Sequence, residues 1–354
     1  MKAIQIIDAN FNRIREGMRV IEDGVRFYIE NEKLFKKVKN FRHKFISEVL
    51  KNFELNTLRR ERNIFKDTGR KYDILKKESI DRLIEKNCLR IEEGLRVIEE
   101  YSKCFRNSQS KIFHNLRFQF YEIEKQIITY LSKKKIPVPS VYVIINLKDN
   151  QNIMEFAESI IEGKPDIIQL RYKGVNTKFF ARIAKKLKKV IPDEIIYIIN
   201  DRIDICLISE ADGVHLGEKD ISVEDARKIL PDKIIGVSIN SPEEAEKYLN
   251  KDIDYLAVGA IYPSPTKKDR KTTGPEIIKE IKKKYTIPIV AIGGINKENV
   301  CEVIKNDADC VAFVSAIEKA ENKQKYLKEM KRKVKKEWMK TKRKKRENNQ
   351  KNPL

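Results

Sequence analysis

Eight apolar, largely β-branched runs recur through the second half of the chain. They are Val141 to Asn146, Ile167 to Arg171, Ile195 to Asn200, Gly213 to Leu216, Ile234 to Ile239, Tyr255 to Ala260, Ile287 to Gly294 and Cys310 to Ile317. Runs of this length with helix-period segments between them predict parallel strands buried on both faces, each followed by a helix. The expected fold is α/β, a (β/α)8 TIM barrel over residues 138–320. Short polar stations follow the runs: Gln169 to Lys173, Asn200 to Arg202, His215 to Asp220, Ser264 to Lys267 and Gly293 to Asn296. Because the carboxyl ends of all strands share one face of a barrel, these stations form one site.

The first 134 residues show no strand alternation and read as an all-α domain. Helices are expected over Ala9 to Glu30, Glu32 to Asn52, Ser79 to Lys103 and Lys111 to Ser132, with a less regular stretch around Arg59 to Asp73. Leu116, Phe120, Ile123, Ile127 and Leu131, at steps of three and four, mark the buried stripe of the last helix. Pro137 and Pro139 end the helical pattern and set the boundary. Within this domain Asn10 to Asp23 repeats as Asn87 to Glu100. One reading is a duplicated hairpin whose Gly17 and Gly94 let two helices cross closely; a mid-helix glycine costs up to about 1 kcal/mol, so packing suffices to explain it. The other takes Asn10, Arg13 and Glu16, with Asn87, Arg90 and Glu93, as two like polar faces that meet in a pocket. Spacing alone favours packing.

Lys and Arg outnumber Asp and Glu by 75 to 53, a formal charge of +22, and much of the excess follows Ala320. Residues 321–354 are therefore expected as a basic tail, disordered or helical as far as Trp338. Basic residues elsewhere fall on expected outer helix faces, which favours a compositional bias over nucleic-acid binding. The five cysteines, Cys88, Cys104, Cys206, Cys301 and Cys310, are odd in number and lack CxxC spacing, as in a reducing cytoplasm. Asp8 interrupts the amino terminus too early for a signal peptide, and no apolar stretch approaches the roughly 20 residues of a membrane span. A cytoplasmic protein without a membrane partner is expected; a homo-oligomer is compatible with the sequence.

The stations carry the chemistry. Ser264 and Thr266 offer hydroxyl donors, Gly293 and Gly294 let backbone amides approach a ligand, and Val314 and Ser315 close the last strand. Loops after strands seven and eight are the usual phosphate cradle of this fold. Arg171, Lys173 and Lys267 add cations to the same mouth, Asp201 and Asp220 add acids. The acids are either ion-pair partners or a Mg²⁺ site, since Mg²⁺ takes one or two carboxylates with phosphate oxygens and water. Gln169 and Asn200 suit the edge of an amino-substituted heteroaromatic ring, or else tie strand ends together. Ser238 either caps backbone or meets substrate. His215, with no nucleophile nearby in sequence, reads as a hydrogen-bonded or ring-packing residue. No Walker A loop, nucleophile elbow or zinc-ligand cluster is present.

The ordered set Gln169 to Lys173, Asn200 to Arg202, Ala211 to Asp220, Gly236 to Ser238, Gly259 to Lys267 and Gly293 to Asn296 closely resembles thiamine-phosphate synthase, also called thiamine-phosphate pyrophosphorylase. That family joins 4-amino-2-methyl-5-hydroxymethylpyrimidine diphosphate to 4-methyl-5-(2-phosphooxyethyl)thiazole, releasing pyrophosphate. The resemblance implies that Asp201 and Asp220 hold Mg²⁺, and that Arg171, Lys173, Ser238 and Lys267 contact the diphosphate, with Lys267, Arg171 and Ser238 catalytic. It implies that Gln169 and Asn200 address the pyrimidine, with Leu170 and Tyr172 in the same substrate-binding station. Ser264, Pro265, Thr266, Gly294, Val314 and Ser315 would cradle phosphate, the thiazole phosphate lying at the Gly294 and Ser315 end. The family commonly has an acid at the position of Tyr172 and a threonine at that of Ser264. Without a nucleophile or strong base, the expected mechanism is a dissociative alkyl transfer. Residues Asp8 to Asp23 carry the signature of a helical domain fused to bacterial synthases and proposed as an alternative hydroxymethylpyrimidine phosphate kinase. The alternative reading is a thiazole tautomerase-like barrel with the helical domain as an assembly or nucleic-acid-binding module; it would need neither two acids nor Lys267.

Overall fold

The computed structural model describes residues 2–53, 78–105, 110–147, 152–263 and 272–351. The chain divides between Ser132 and Lys133 into two compact units. The first contains α1 (Lys2–Gly24), continued by a π-turn over Val25–Ile29, then α2 (Glu32–Asn52), α3 (Ile80–Ser102) and α4 (Ser110–Ser132). The α1 helix starts earlier than the expected Ala9, because Ile4, Ile7, Phe11 and Ile14 extend one buried stripe backwards at steps of three and four. Asn31 caps α2 by accepting from the Leu34 amide at 2.8 Å, and Ser79 caps α3 from that of Arg82 at 3.3 Å. The stretch expected to be irregular, around Arg59 to Asp73, lies outside the described residues.

The repeat is a reciprocal helix crossing. A Cβ at Gly94 would lie 2.7 Å from Ile14 Cγ1, and one at Gly17 would lie 3.2 Å from Ile91 Cγ1, the equivalent atom of the other copy. Asn10 and Asn87 each donate to the carbonyl four residues earlier, Ile6 at 2.8 Å and Leu83 at 2.7 Å. The duplication extends to buried ion pairs, Arg42 Nε to Glu22 at 2.6 Å and Arg117 Nε to Glu99 at 2.7 Å. Packing therefore explains the glycines, isoleucines, asparagines and final glutamates of the motif. Arg13, Glu16, Arg90 and Glu93 stay exposed.

The second unit is a closed parallel barrel in sequence order. Its strands are β1 (Ser140–Leu147), β2 (Ile167–Tyr172), β3 (Ile196–Asn200), β4 (Gly213–Leu216), β5 (Ile234–Ile239), β6 (Tyr255–Val258), β7 (Ile289–Ile292) and β8 (Cys310–Phe313). The helices between them are α5 (Ile153–Ile161), α6 (Thr177–Val190), α7 (Ile203–Ile208), α8 (Val223–Ile229), α9 (Pro242–Glu246), α10 (Glu276–Lys282) and α11 (Val300–Lys305); α12 (Ser315–Glu318) and α13 (Lys323–Lys351) follow β8. Strand parity splits the core in two. Tyr142, Ile144, Ile198, Tyr255, Val290 and Cys310 fill the barrel interior, while the alternate residues pack beneath the helices. The last apolar run was expected to be strand through Ile317, but it turns at Val314 and ends as α12, with Ile317 buried under the helical layer. A continuous apolar run does not distinguish a buried strand from a buried helix.

The amino-terminal rim is fastened by one device used four times. The aspartate just before each even-numbered strand, Asp166, Asp212, Asp254 and Asp309, accepts from an amide of the odd strand beside it. These amides belong to Val141, Tyr197, Ile235 and Ile289, at 2.8, 2.9, 2.8 and 2.9 Å. Each carboxylate also meets a lysine: Lys331 at 2.7 Å, Lys134 at 3.1 Å, Lys133 at 2.6 Å and Lys282 at 2.5 Å respectively. The basic tail contributes to this rim. Leu327, Met330 and Val334 of α13 are buried against the barrel, and Gly163 leaves room for Leu327, whose Cδ1 would lie 2.7 Å from a Cβ there.

Asp309→Ala should lower the stability of the chain by about 1–3 kcal/mol, because it leaves the Ile289 amide unpaired and the half-buried Lys282 ammonium with only the Ile287 carbonyl. Asp309→Asn, which keeps an oxygen for that amide, should lose less; thermal unfolding followed by circular dichroism distinguishes the two.

Candidate active site

The carboxyl-terminal ends of β1 to β5 gather most of the expected polar residues. Arg171 lies opposite Asn146 in the β1–β2 register and donates Nη1 to its Oδ1 at 3.0 Å. Asn200 ends β3 with its side chain buried, and its Nδ2 has no hydrogen-bond partner among the described residues. A buried donor left unpaired costs about 1–3 kcal/mol, which makes this amide a place for a ligand acceptor. The next residue, Asp201, holds a left-handed backbone (φ 65°), while its amide donates to the His215 carbonyl at 2.8 Å. Glu30, Lys164, Glu210 and Asp307 share this conformation away from the site, so at Asp201 it matters for where it directs the carboxylate.

This turn aims Asp201 at Asp220. Lys173 Nζ lies 2.5 Å from Asp201 Oδ2, and the Gly217 amide donates to Asp220 Oδ2 at 2.6 Å. Burial, followed by the neighbouring Asp201 carboxylate, holds the Asp220 carboxyl above the ordinary aspartate range; the Gly217 amide and Lys173 pull the other way. Two neighbouring carboxylates, one of them paired with Lys173, suit Mg²⁺, which would leave its remaining positions to phosphate oxygens and water. Among the described residues no group of three or more His, Cys, Asp or Glu side chains gathers in a metal-binding arrangement. The described residues therefore offer two carboxylates at this place.

Other expected residues are placed differently. Leu170 and Tyr172 belong to the opposite parity of β2 from Gln169 and Arg171, and both side chains sit in the strand–helix layer. Tyr172 packs on Phe179 and Phe180, with ring centroids 5.8 and 5.4 Å away. A substrate in the barrel mouth would meet only the backbone of these two residues. Gly293 and Gly294 have φ of 101° and 66°; a Cβ at Gly294 would lie 2.5 Å from the Pro263 carbonyl oxygen, so these glycines also seat the loop after β6. Val314 and Ser315 open α12 rather than closing the strand, and both are half-buried. Ser264, Pro265, Thr266 and Lys267 lie outside the described residues.

Gln169, Ser238 and His215 belong to one buried chain of side chains. Gln169 Nε2 donates to the Tyr142 hydroxyl at 2.9 Å, and the Tyr142 and Tyr255 hydroxyls are 3.0 Å apart. His215 Nδ1 lies 2.9 Å from the Tyr255 hydroxyl, while His215 Nε2 lies 2.8 Å from Ser238 Oγ. The two tyrosines were not among the expected site residues. A signal for one was available in Gly236, a glycine inside a strand. A Cβ there would stand 1.9 Å from the Tyr255 ring, which fills the vacant space and stacks on His215 at 5.6 Å.

Fold and site together define a (β/α)8-barrel enzyme whose mouth gathers charged and amide side chains. Residues 141–317 match the family model of thiamine monophosphate synthase, and residues 5–126 match that of the ThiD2 family. Over 331 residues the chain is 36% identical to a thiamine-phosphate synthase of Prochlorococcus marinus subsp. pastoris, covering 91% of this chain and 92% of that one. A Synechocystis thiamine-phosphate synthase is 33% identical over 323 residues, with 90% and 92% covered. Among solved structures, thiamine phosphate pyrophosphorylase from Pyrococcus furiosus aligns with a TM-score of 0.52 at 35% identity, covering 56% of this chain and 96% of that one. The chain belongs to the thiamine-phosphate synthase family, fused to a ThiD2-type helical domain, and is a transferase.

The raised Asp220 pKa sets a pH dependence. A Mg²⁺ ion held there would need the carboxylate, so its affinity, read by titration calorimetry, would fall as pH drops into the range just above that of an ordinary aspartate. In metal-free protein the sign reverses. A carboxyl raised on folding contributes stability below its unfolded pKa and loses it as pH rises through the folded one. Asp220→Asn should therefore make the metal-free chain more heat-stable at neutral pH, and would remove any stabilisation that added Mg²⁺ gives the unaltered chain.

Proposed function

We propose that the barrel joins a hydroxymethylpyrimidine diphosphate to a thiazole phosphate by dissociative alkyl transfer, with Mg²⁺ on Asp201 and Asp220. The observation that carries this reading is the facing pair of carboxylates beside Lys173, at the strand ends that also carry Arg171 and the Asn200 amide, unpaired among the described residues. A tautomerase acting on one monophosphate has no use for that pair. Mg²⁺ would neutralise charge on the departing pyrophosphate. Lys173, Arg171 and Lys267 supply the remaining positive charge, and Ser238 donates a hydrogen bond to the same group. Asn200 Nδ2 addresses a pyrimidine acceptor. The amino group of the ring pushes electrons toward the exocyclic methylene as its C–O bond breaks, and the thiazole nitrogen then attacks the cation. The Gly294 and Ser315 end holds the thiazole phosphate. The free cysteines favour the cytoplasm as the compartment, and no helix among the described residues is long and apolar enough to cross a membrane.

Lys267→Ala should lower the single-turnover rate by about 10²–10³, the usual effect of losing one preorganised charge partner. A near-normal rate would remove Lys267 from the chemistry.

For the helical unit we propose the preceding step, phosphorylation of hydroxymethylpyrimidine phosphate. Arg13, Glu16, Arg90 and Glu93 recur in both copies of the repeat and stay exposed, where packing does not require them. The helical domain supplied with the pyrimidine monophosphate, ATP and Mg²⁺ should yield the diphosphate, detectable by chromatography. No product would leave it a structural role.

A further inference from the structure

The buried chain from Gln169 to Ser238 crosses the barrel interior and touches five strands, β2, β1, β6, β4 and β5. Burial pushes the Tyr142 and Tyr255 phenols up, so each retains one proton to donate. The order of donors then follows from counting. The Tyr142 oxygen already accepts from Gln169 Nε2, so its own proton goes to the Tyr255 oxygen. The Tyr255 proton is left for His215 Nδ1, which must accept. The His215 proton therefore sits on Nε2 and is donated to Ser238 Oγ. With Gln169 Nε2 facing Tyr142, the reversed direction would leave the Tyr142 proton without an acceptor among the described residues, on a side chain only 1% exposed, so the Gln169 amide orientation decides the direction. With its oxygen occupied by the imidazole, Ser238 has its own proton to offer to the barrel mouth.

We propose that Tyr142 and Tyr255 are positioning residues: through a one-directional hydrogen-bond relay they fix the Nε2–H tautomer of His215 and make Ser238 a donor toward an anionic oxygen of the substrate. This rests on the reading of Ser238 as a diphosphate contact. The relay gives the glutamine a role in the same device. Its amide orientation sets the direction of every bond downstream, so Gln169 acts on Ser238 from the far side of the barrel. Neither tyrosine needs to touch substrate for this effect.

The chain has three histidines, so the tautomer is directly measurable. Long-range ¹H–¹⁵N correlation spectra of the full chain labelled with ¹⁵N-histidine, assigned with His43→Gln and His114→Gln variants, should show the His215 proton on Nε2. Tyr142→Phe should preserve that tautomer, because Tyr255 still has a proton to give. Tyr255→Phe should let the two tautomers mix and slow the single-turnover rate by about 10–100-fold, the range for losing the partner of a functional group. A proton on Nδ1 in the unaltered chain overturns the relay, and this result stands whether or not the variants fold. An unchanged tautomer in Tyr255→Phe also overturns it. A normal rate in Ser238→Ala overturns the diphosphate reading of Ser238 and the catalytic consequence with it. A normal rate in Tyr255→Phe beside a slow Ser238→Ala overturns the positioning role alone.

Discussion

Closing eight parallel strands into a barrel confines every inward-facing side chain to one narrow interior, where a polar group must find its partner among the others or lose its hydration uncompensated. Much of the second unit follows from this. Tyr142 and Tyr255 reach across from β1 and β6 and satisfy each other, Gly236 gives up its side chain to admit the Tyr255 ring, and His215 stacks on that ring with both nitrogens engaged. The interior is thus a floor beneath the reaction mouth, and its hydrogen bonds are continuous with it.

The two ends of the barrel show opposite electrostatic habits. At the amino-terminal rim, four aspartates each combine a strand amide with a lysine, so charge is balanced and backbone donors are satisfied. At the carboxyl-terminal end, Asp201 is held in a left-handed conformation, Asp220 is pushed up by burial and by Asp201, and Asn200 keeps a buried donor unpaired among the described residues. Local stability is given up where a ligand can restore it, as expected of a preorganised site.

The helical unit applies a different rule. Its duplicated motif is a crossing in which each glycine receives the isoleucine of the other copy, and the equivalent Glu22 and Glu99 meet equivalent arginines. Steric fit therefore accounts for the buried positions of the repeat, whereas the exposed Arg13, Glu16, Arg90 and Glu93 call for a reason outside packing.

The sequence by itself determined the eight apolar runs, the parallel barrel they imply, the internal repeat and the set of polar stations, because strand burial and helix periodicity are local properties of neighbouring residues. It did not separate Gln169 and Arg171 from Leu170 and Tyr172, since only strand parity in the folded sheet sends one pair inward and the other outward. Nor did it show that the final run would end as a helix. Only the tertiary structure brought Asp201 against Asp220 and joined Gln169 to Ser238 through two unsuspected tyrosines. Those contacts depend on the register between strands far apart in the chain, which barrel closure alone fixes.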